Sequence, residues 1–315
     1  WTFTPTTGSS VTSIESATAL PTPSVKGTVS GTALRRTLSW HIANLSGQQV
    51  TFVEEDVAYI GGTNRSNVSK LQANIEFPEV PATFEQLPIV LMCAIENISA
   101  GSIDGSTAGA YIYQYDYPTT SKNTIRTLTI EGGDDQRVDE AEYAFVSDFT
   151  IAGAAGEPVT VSSRWIARQL TDAEFTTTSV TLPTVEEMNF GKSYLYIDAV
   201  SGTHGGTVKS NTVLGFSFQS ASGWIPVFTP AGTALYFDFI KYVGNEEPKL
   251  EITFEHDASA ETELTAYRAE TPRLIRLDIN GSNLTTAGAT FSTKKLRFDL
   301  AGKWEKLSVI GEQDG

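Results

Sequence analysis

Leu71, Ala73, Ile75 and Phe77 alternate with polar neighbours, and the same period returns at Leu128 and Ile130, at Val159 and Val161, and at Leu250, Ile252 and Phe254. A period of two puts successive side chains on opposite faces of an extended chain, so each run predicts a half-buried strand. The densest such stretch is 126–169. There Leu128 and Ile130 make one strand, Gly132, Gly133, Asp134 and Asp135 supply turn chemistry, and Tyr143, Phe145, Phe149 and Ile151 place apolar groups on one face of a second strand. Residues 153–157 interrupt the pattern before Val159, Val161 and Ser163 resume it toward Trp165, which predicts a hairpin.

Residues 1–33 are rich in Thr, Ser, Pro and Gly and read as an extended arm, with Pro21 and Pro23 blocking regular structure. Leu34, Leu38, Trp40 and Ile42, a Ser46-Gly47 turn, then Val50 and Phe52 predict two strands, followed by a polar loop at 61–67. The apolar run 87–95 fits a strand or a short helix, and 99–109 is a loop of small residues. Tyr111, Tyr113, Tyr115 and Tyr117 alternate strictly, a pattern open to a packing face, a protein interface or a platform for stacking on sugars. A Thr-rich connection leading to Pro183 marks a domain boundary, giving domains at 34–182 and 183–315. In the second, 184–187 has helix-start character, 235–242 is strand-like, and 259–269 is a helix with Ser259 as N-cap and Pro272 beyond its end. Strands at 274–279 and 296–300, separated by a Gly281 turn, and at 304–310 finish the chain.

The halves echo each other. Leu128 precedes Tyr143 by fifteen residues and Ile252 precedes Tyr267 by fifteen; each tyrosine is followed by a glycine, Gly153 or Gly281, and then by a tryptophan, Trp165 or Trp304. This ordered recurrence predicts a tandem duplication of one β-sandwich domain.

The segments EAEYAFVSDFTIAGAAGEPVTVSSRWIARQ, GFSFQSASGWIPVFTPAG, LEITFEHDASA, YRAETPRLIRLDINGS and LRFDLAGKWEKL fall in order across most of the chain. In order and spacing they resemble the major tail tube proteins of long-tailed (siphovirus) phages. The chain opens without methionine and stops at EQDG, where the resemblance implies a longer protein. It also implies a mainly β fold of two tail-tube-type β-sandwich domains, each with a short flanking helix, joined between copies into a β-barrel channel. Family members form sixfold rings, so a doubled chain would close a pseudo-sixfold ring with three copies. The partners so implied are further copies of the chain in stacked rings, a tape-measure protein inside the tube, tail terminator and distal tail proteins at its ends, and viral DNA in transit without specific binding. The implied location is the virion tail tube, assembled in the host cytoplasm.

Charge and chemistry narrow the choice. A net charge of −15 argues against gripping nucleic acid through its phosphates; it suits a surface past which a polyanion slides, and equally one whose charge simply keeps the protein in solution. No apolar run approaches the ~20 residues that span a bilayer. The single cysteine, Cys93, excludes an internal disulfide framework and reads as a small buried hydrophobe. His41, His204 and His256 are isolated, and no zinc, nucleophile-elbow or phosphate-loop pattern appears, so no cofactor, metal or catalytic residue is predicted, and the resemblance implies a structural protein. The polar positions beside the central strands, Thr127, Thr129, Glu131, Glu251, Thr253 and Glu255, fit either a solvated outer face or the lumen, and in a lumen Glu131, Glu251 and Glu255 would carry the charge that repels DNA. The alternative is a sugar- or receptor-binding or decoration module of a phage tail, working through the tyrosine stripe.

Overall fold

The computed structural model describes residues 2–4, 11–17, 45–55, 65–98, 100–106, 109–133, 137–174, 184–230, 235–244 and 246–307. They fold into a mainly β protein. In chain order come β1 (Thr2–Thr4), β2 (Val11–Ala17), β3 (Leu45–Glu55), β4 (Arg65–Pro81), helix α1 (Leu87–Ala94), β5 (Ser102–Ile103), β6 (Tyr111–Tyr115), β7 (Leu128–Gly133), β8 (Val138–Ala154), β9 (Thr160–Ala167) and β10 (Gln169–Ala173). The second half adds β11 (Ser193–Ala199), β12 (Val208–Lys209), β13 (Val213–Ala221), β14 (Trp224–Val227), β15 (Phe239–Tyr242), β16 (Lys249–Phe254), helix α2 (Ala258–Arg268), β17 (Arg273–Asn283) and β18 (Thr293–Lys306).

Sixteen strands join in one sheet, whose main path runs β12, β11, β17, β18, β1, β16, β13, β8, β9, β4, β3. Along it the first half contributes the order β3-β4-β9-β8 and the second β13-β16-β18-β17, with β1 inserted between β16 and β18. In both halves a helix follows the second strand of the set and a β-hairpin completes it. The sets meet where β8 pairs antiparallel with β13, from Gly215 opposite Ala154 to Ala221 opposite Asp148. The element-by-element echo expected from Tyr143 and Tyr267 is different in detail, because Tyr143 lies in strand β8 and Tyr267 in helix α2.

The core lies between the layer β16-β13-β8-β9-β4 and a second layer in which β11, β17 and β18 are joined by β2 and β6. Phe218 meets Phe298 across it at 5.0 Å between ring centroids, and Phe77 meets Trp165 edge-on at 5.9 Å. Burying each such ring stabilises the fold by roughly 1.5–3 kcal/mol. The run 87–95 proves to be helix α1, and all eight of its residues are buried. A helix enclosed on every side has no polar stripe, which is why periodicity left strand and helix open. Pro88 occupies its first turn, where an amide hydrogen is not needed, and Tyr115 Oη donates to the Pro88 carbonyl at 3.2 Å.

Several expectations are corrected by where glycines and acids fall. Ser46 and Gly47 lie within β3, at a register shift against β4. Gly281 lies inside β17, again at a register shift; a Cβ there would stand 2.6 Å from the Phe84 ring, so the glycine serves close approach to a buried aromatic of the first half. Residues 184–187 are not helical; Glu187 bridges Thr83, and Glu186 accepts from the Ser282 amide at 2.7 Å. Helix α2 is capped by Asp257, whose carboxylate accepts from the Ser259 and Ala260 amides, and not by Ser259. Only Phe239–Tyr242 of the run 235–242 is strand, and Leu296 and Trp304 belong to one continuous strand. Of the predicted arm, β1 and β2 pair with this chain's own β16, β18 and β6, while the strand expected at 34–42 lies outside the described residues.

Strand β8 departs from simple alternation twice. Tyr143 has φ 56°, and the pairing with β7 slips between Leu128 and Ile130. One extra residue, Ser147, then separates the pairs Val146 with Trp165 and Asp148 with Arg164. A bulge flips the faces that follow it. Phe149 and Ile151 therefore enter the main core, whereas Tyr143 and Phe145 turn to the other side and pack on Phe237.

Candidate functional site

The side of β16, β13, β8, β9 and β4 that faces away from the core is a continuous polar surface. Register fixes its rows: Glu251 beside Ser217, Ala152 and Thr160; Lys249 beside Gln219, Thr150 and Ser162; Ala221 beside Asp148, Arg164 and Glu76. Alternation produces this surface, because Leu250, Ile252, Phe216, Phe218, Ile151, Val161, Trp165 and Ile75 take the core positions in between. Hydroxyls and an amide, Ser217, Thr150, Thr160, Ser162 and Gln219, share it with charges of both signs, Glu251, Lys249, Asp148, Arg164 and Glu76. Arg164 lies 3.7 Å from Glu76 and 3.9 Å from Asp148 in exposed pairs, and Glu79 accepts from Thr160 Oγ1 at 2.8 Å. Exposed pairs of this kind add little stability, so the surface is open to whatever faces it.

Beyond the Tyr143 bulge, β7 and β10 flank the start of β8 as a three-stranded flap. Here Glu131 stands opposite Glu140, and Gln169 Nε2 donates to Glu142 at 2.7 Å. Burial, together with the charges of Glu131 and Glu142, raises the Glu140 carboxyl above its ordinary value. Between flap and polar surface, the β14–β15 ribbon forms a strap over Tyr143, Phe145 and Ile166, and the Leu71 amide donates to the Leu235 carbonyl at 3.0 Å.

The three acidic lumen candidates are therefore placed apart. Glu251 lies on the polar surface, Glu131 on the flap past the strap, and Glu255 just after the end of β16, beside the turn where His256 pairs with Glu261 at 2.8 Å. The sequence reading missed Glu76, Asp148 and Arg164; strand alternation in β4, β8 and β9 is the signal that places them, once the Ser147 bulge is allowed for.

The other singled-out residues are structural. Tyr113, Tyr115 and Tyr117 are buried against the core, which removes the stripe as a platform for sugars. Cys93 is enclosed in α1, where burial pushes its thiol far above the ordinary range and leaves it unreactive. His204 Nε2 lies 3.1 Å from the Leu300 carbonyl. Among the described residues no group of His, Cys, Asp and Glu is arranged to hold a metal ion, and no helix is long and apolar enough to cross a membrane. Neither a family model nor a curated protein matches the sequence.

Proposed function

We propose that this chain is the major tail tube subunit of a long-tailed phage, a structural virion protein that joins copies of itself into stacked rings around a DNA channel. One observation carries the reading beyond sequence resemblance. Two sets of strands with the same order are joined side by side through β8 and β13 into one sheet, apolar on one side and polar on the other. A pairing that extends the sheet within the chain is the kind of contact that extends it between chains. Among the described residues β3 pairs on one side only, and an unpaired edge is a template for another strand. On this reading the sets are tandem tail-tube domains, and three copies complete a pseudo-sixfold ring.

The polar surface of β16, β13, β8, β9 and β4 then lines the channel. Small hydroxyl side chains offer DNA no apolar grip, and Glu251 repels phosphates that approach it, while Arg164 beside Glu76 and Asp148, together with Lys249, offsets much of the remaining negative charge. Screening limits that repulsion to about 8 Å at physiological salt, so it acts only on a polyanion close to the wall. A tape-measure protein would fill the channel before DNA passes. Sedimentation velocity over a rising concentration series tests the reading: polymers with a sharp critical concentration support it, and a single monomer boundary at every concentration overturns it.

A further inference from the structure

We propose that the outer face of the β14–β15 strap docks on the acidic β7–β8–β10 flap of a second copy of this chain; the inference rests on the self-assembly reading and names one contact within it. The strap's inner face is used: Trp224 and Ile240 pack toward Phe145 and Phe237. Its outer face is not. Register puts Ile225 opposite Lys241 and Val227 opposite Phe239 on that side. Ile225 is 43% exposed, Phe239 46% and the following Val243 52%, which makes an apolar patch on a chain whose other large side chains are mostly in the core.

Charge selects the occupant. Lys241 sits within this patch and has no carboxylate partner among the described residues. Two more cations flank the strap, Lys70 Nζ 4.7 Å from the Phe228 ring and Lys122 Nζ 5.9 Å from the Trp224 ring. The strap's acids are engaged internally, Asp238 by Thr229 and Glu246 by Tyr242. The flap has the opposite character: Glu131, Glu140 and Glu142 share one face, and its cation Arg137 is taken by Asp139 at 2.9 Å and Asp172 at 3.2 Å. Like charges directly opposite in a sheet are unfavourable, and a lysine brought in by a neighbour relieves them. Lys241 is not among the groups that act on Glu140 within the chain.

The test is a charge swap in the full chain, with sedimentation and negative-stain microscopy as readouts and circular dichroism as the check on folding. Lys241→Glu and Glu140→Lys are each expected to raise the critical concentration for assembly about tenfold or more. The double variant is expected to return it to near the wild-type value, and an equimolar mixture of the two single variants, which in a ring of three copies still joins like variants at one contact, to lower it part of the way. Rescue by mixing requires a contact between chains, and it also shows that both variants are folded. If either single variant fails to fold, Phe239→Ser takes its place, with loss of assembly but not of the folded monomer as the expected result. Wild-type polymers that are unaffected by all of these changes, or singly defective variants that the double and the mixture leave defective, overturn the contact alone. Wild-type chains that never polymerise overturn the self-assembly reading and the contact with it.

Discussion

Asp278 tests how the β17–β18 hairpin is held in register. Its carboxylate accepts from Arg297 Nε at 2.7 Å, from Arg297 Nη2 at 2.8 Å and from Lys295 Nζ at 3.1 Å, and its side chain is 4% exposed. Asp278→Ala takes from Arg297 and Lys295 the buried carboxylate that they share. Breaking a buried ion pair from one side costs about 3–5 kcal/mol. Arg297 and Lys295 retain 14% and 18% exposure and can swing partly outward, so the lower end of that range is expected. At about 2 °C per kcal/mol for a chain of this size, Tm falls by about 6 °C in calorimetry at neutral pH. The pH dependence is a second signature. Burial alone would raise the Asp278 pKa, but the hydrogen bonds and charge of Arg297 and the charge of Lys295 prevail and hold it below 3.8. A depressed folded pKa gives stability that is complete above the unfolded value and lost as pH falls through the folded one, so wild type sheds this share below about pH 4 while the alanine variant has none to shed. A Tm change under about 2 °C, or wild-type and variant curves that stay parallel through that acid window, refutes the reasoning.

Three further outcomes follow from the same structure. Asp257→Ala removes the cap of α2 and costs about 0.5–2 kcal/mol in urea unfolding, whereas Ser259→Ala changes stability by no more than a few tenths; equal effects would contradict the capping geometry. Gly281→Val drives a methyl into the Phe84 ring and destabilises by about 1–3 kcal/mol, a loss that Phe84→Leu in the same chain partly restores if the clash is the cause. If the chain forms the proposed DNA channel, Glu251→Lys with Glu76→Lys is expected to slow DNA release from assembled particles, and Glu255→Lys, beyond the end of β16, to have the weaker effect; equal ejection kinetics for all would remove electrostatic repulsion from the proposal.

Much of the fold was legible because burial in a half-exposed sheet writes itself as alternation. Ala73, Ile75 and Phe77 in β4, and Leu250 and Ile252 in β16, lie where a period of two puts them. What stayed hidden were places where one residue changes the rule. The bulge at Ser147 reverses the faces of β8, so Tyr143 and Phe145 part company from Phe149 and Ile151, and no local pattern announces it. Helix α1 is invisible to periodicity for the opposite reason, since every side is buried. Gly281 illustrates a further ambiguity: a lone glycine in an apolar run marks either a turn or a close approach, and only the position of Phe84 decides. The polar surface was half legible. Glu251 follows from its own strand, but its neighbours Ser217, Ala152 and Thr160 come from three other strands, and long-range register assembles them.

The most direct test of the central claim is an electron cryo-microscopy reconstruction of the assembled protein viewed down its axis. The account predicts a hollow ring of three copies, six lobes in all, with Ser217, Thr150, Ser162 and Glu251 on its inner wall. A closed particle without a channel, or a tube in which that polar wall faces outward, would contradict it.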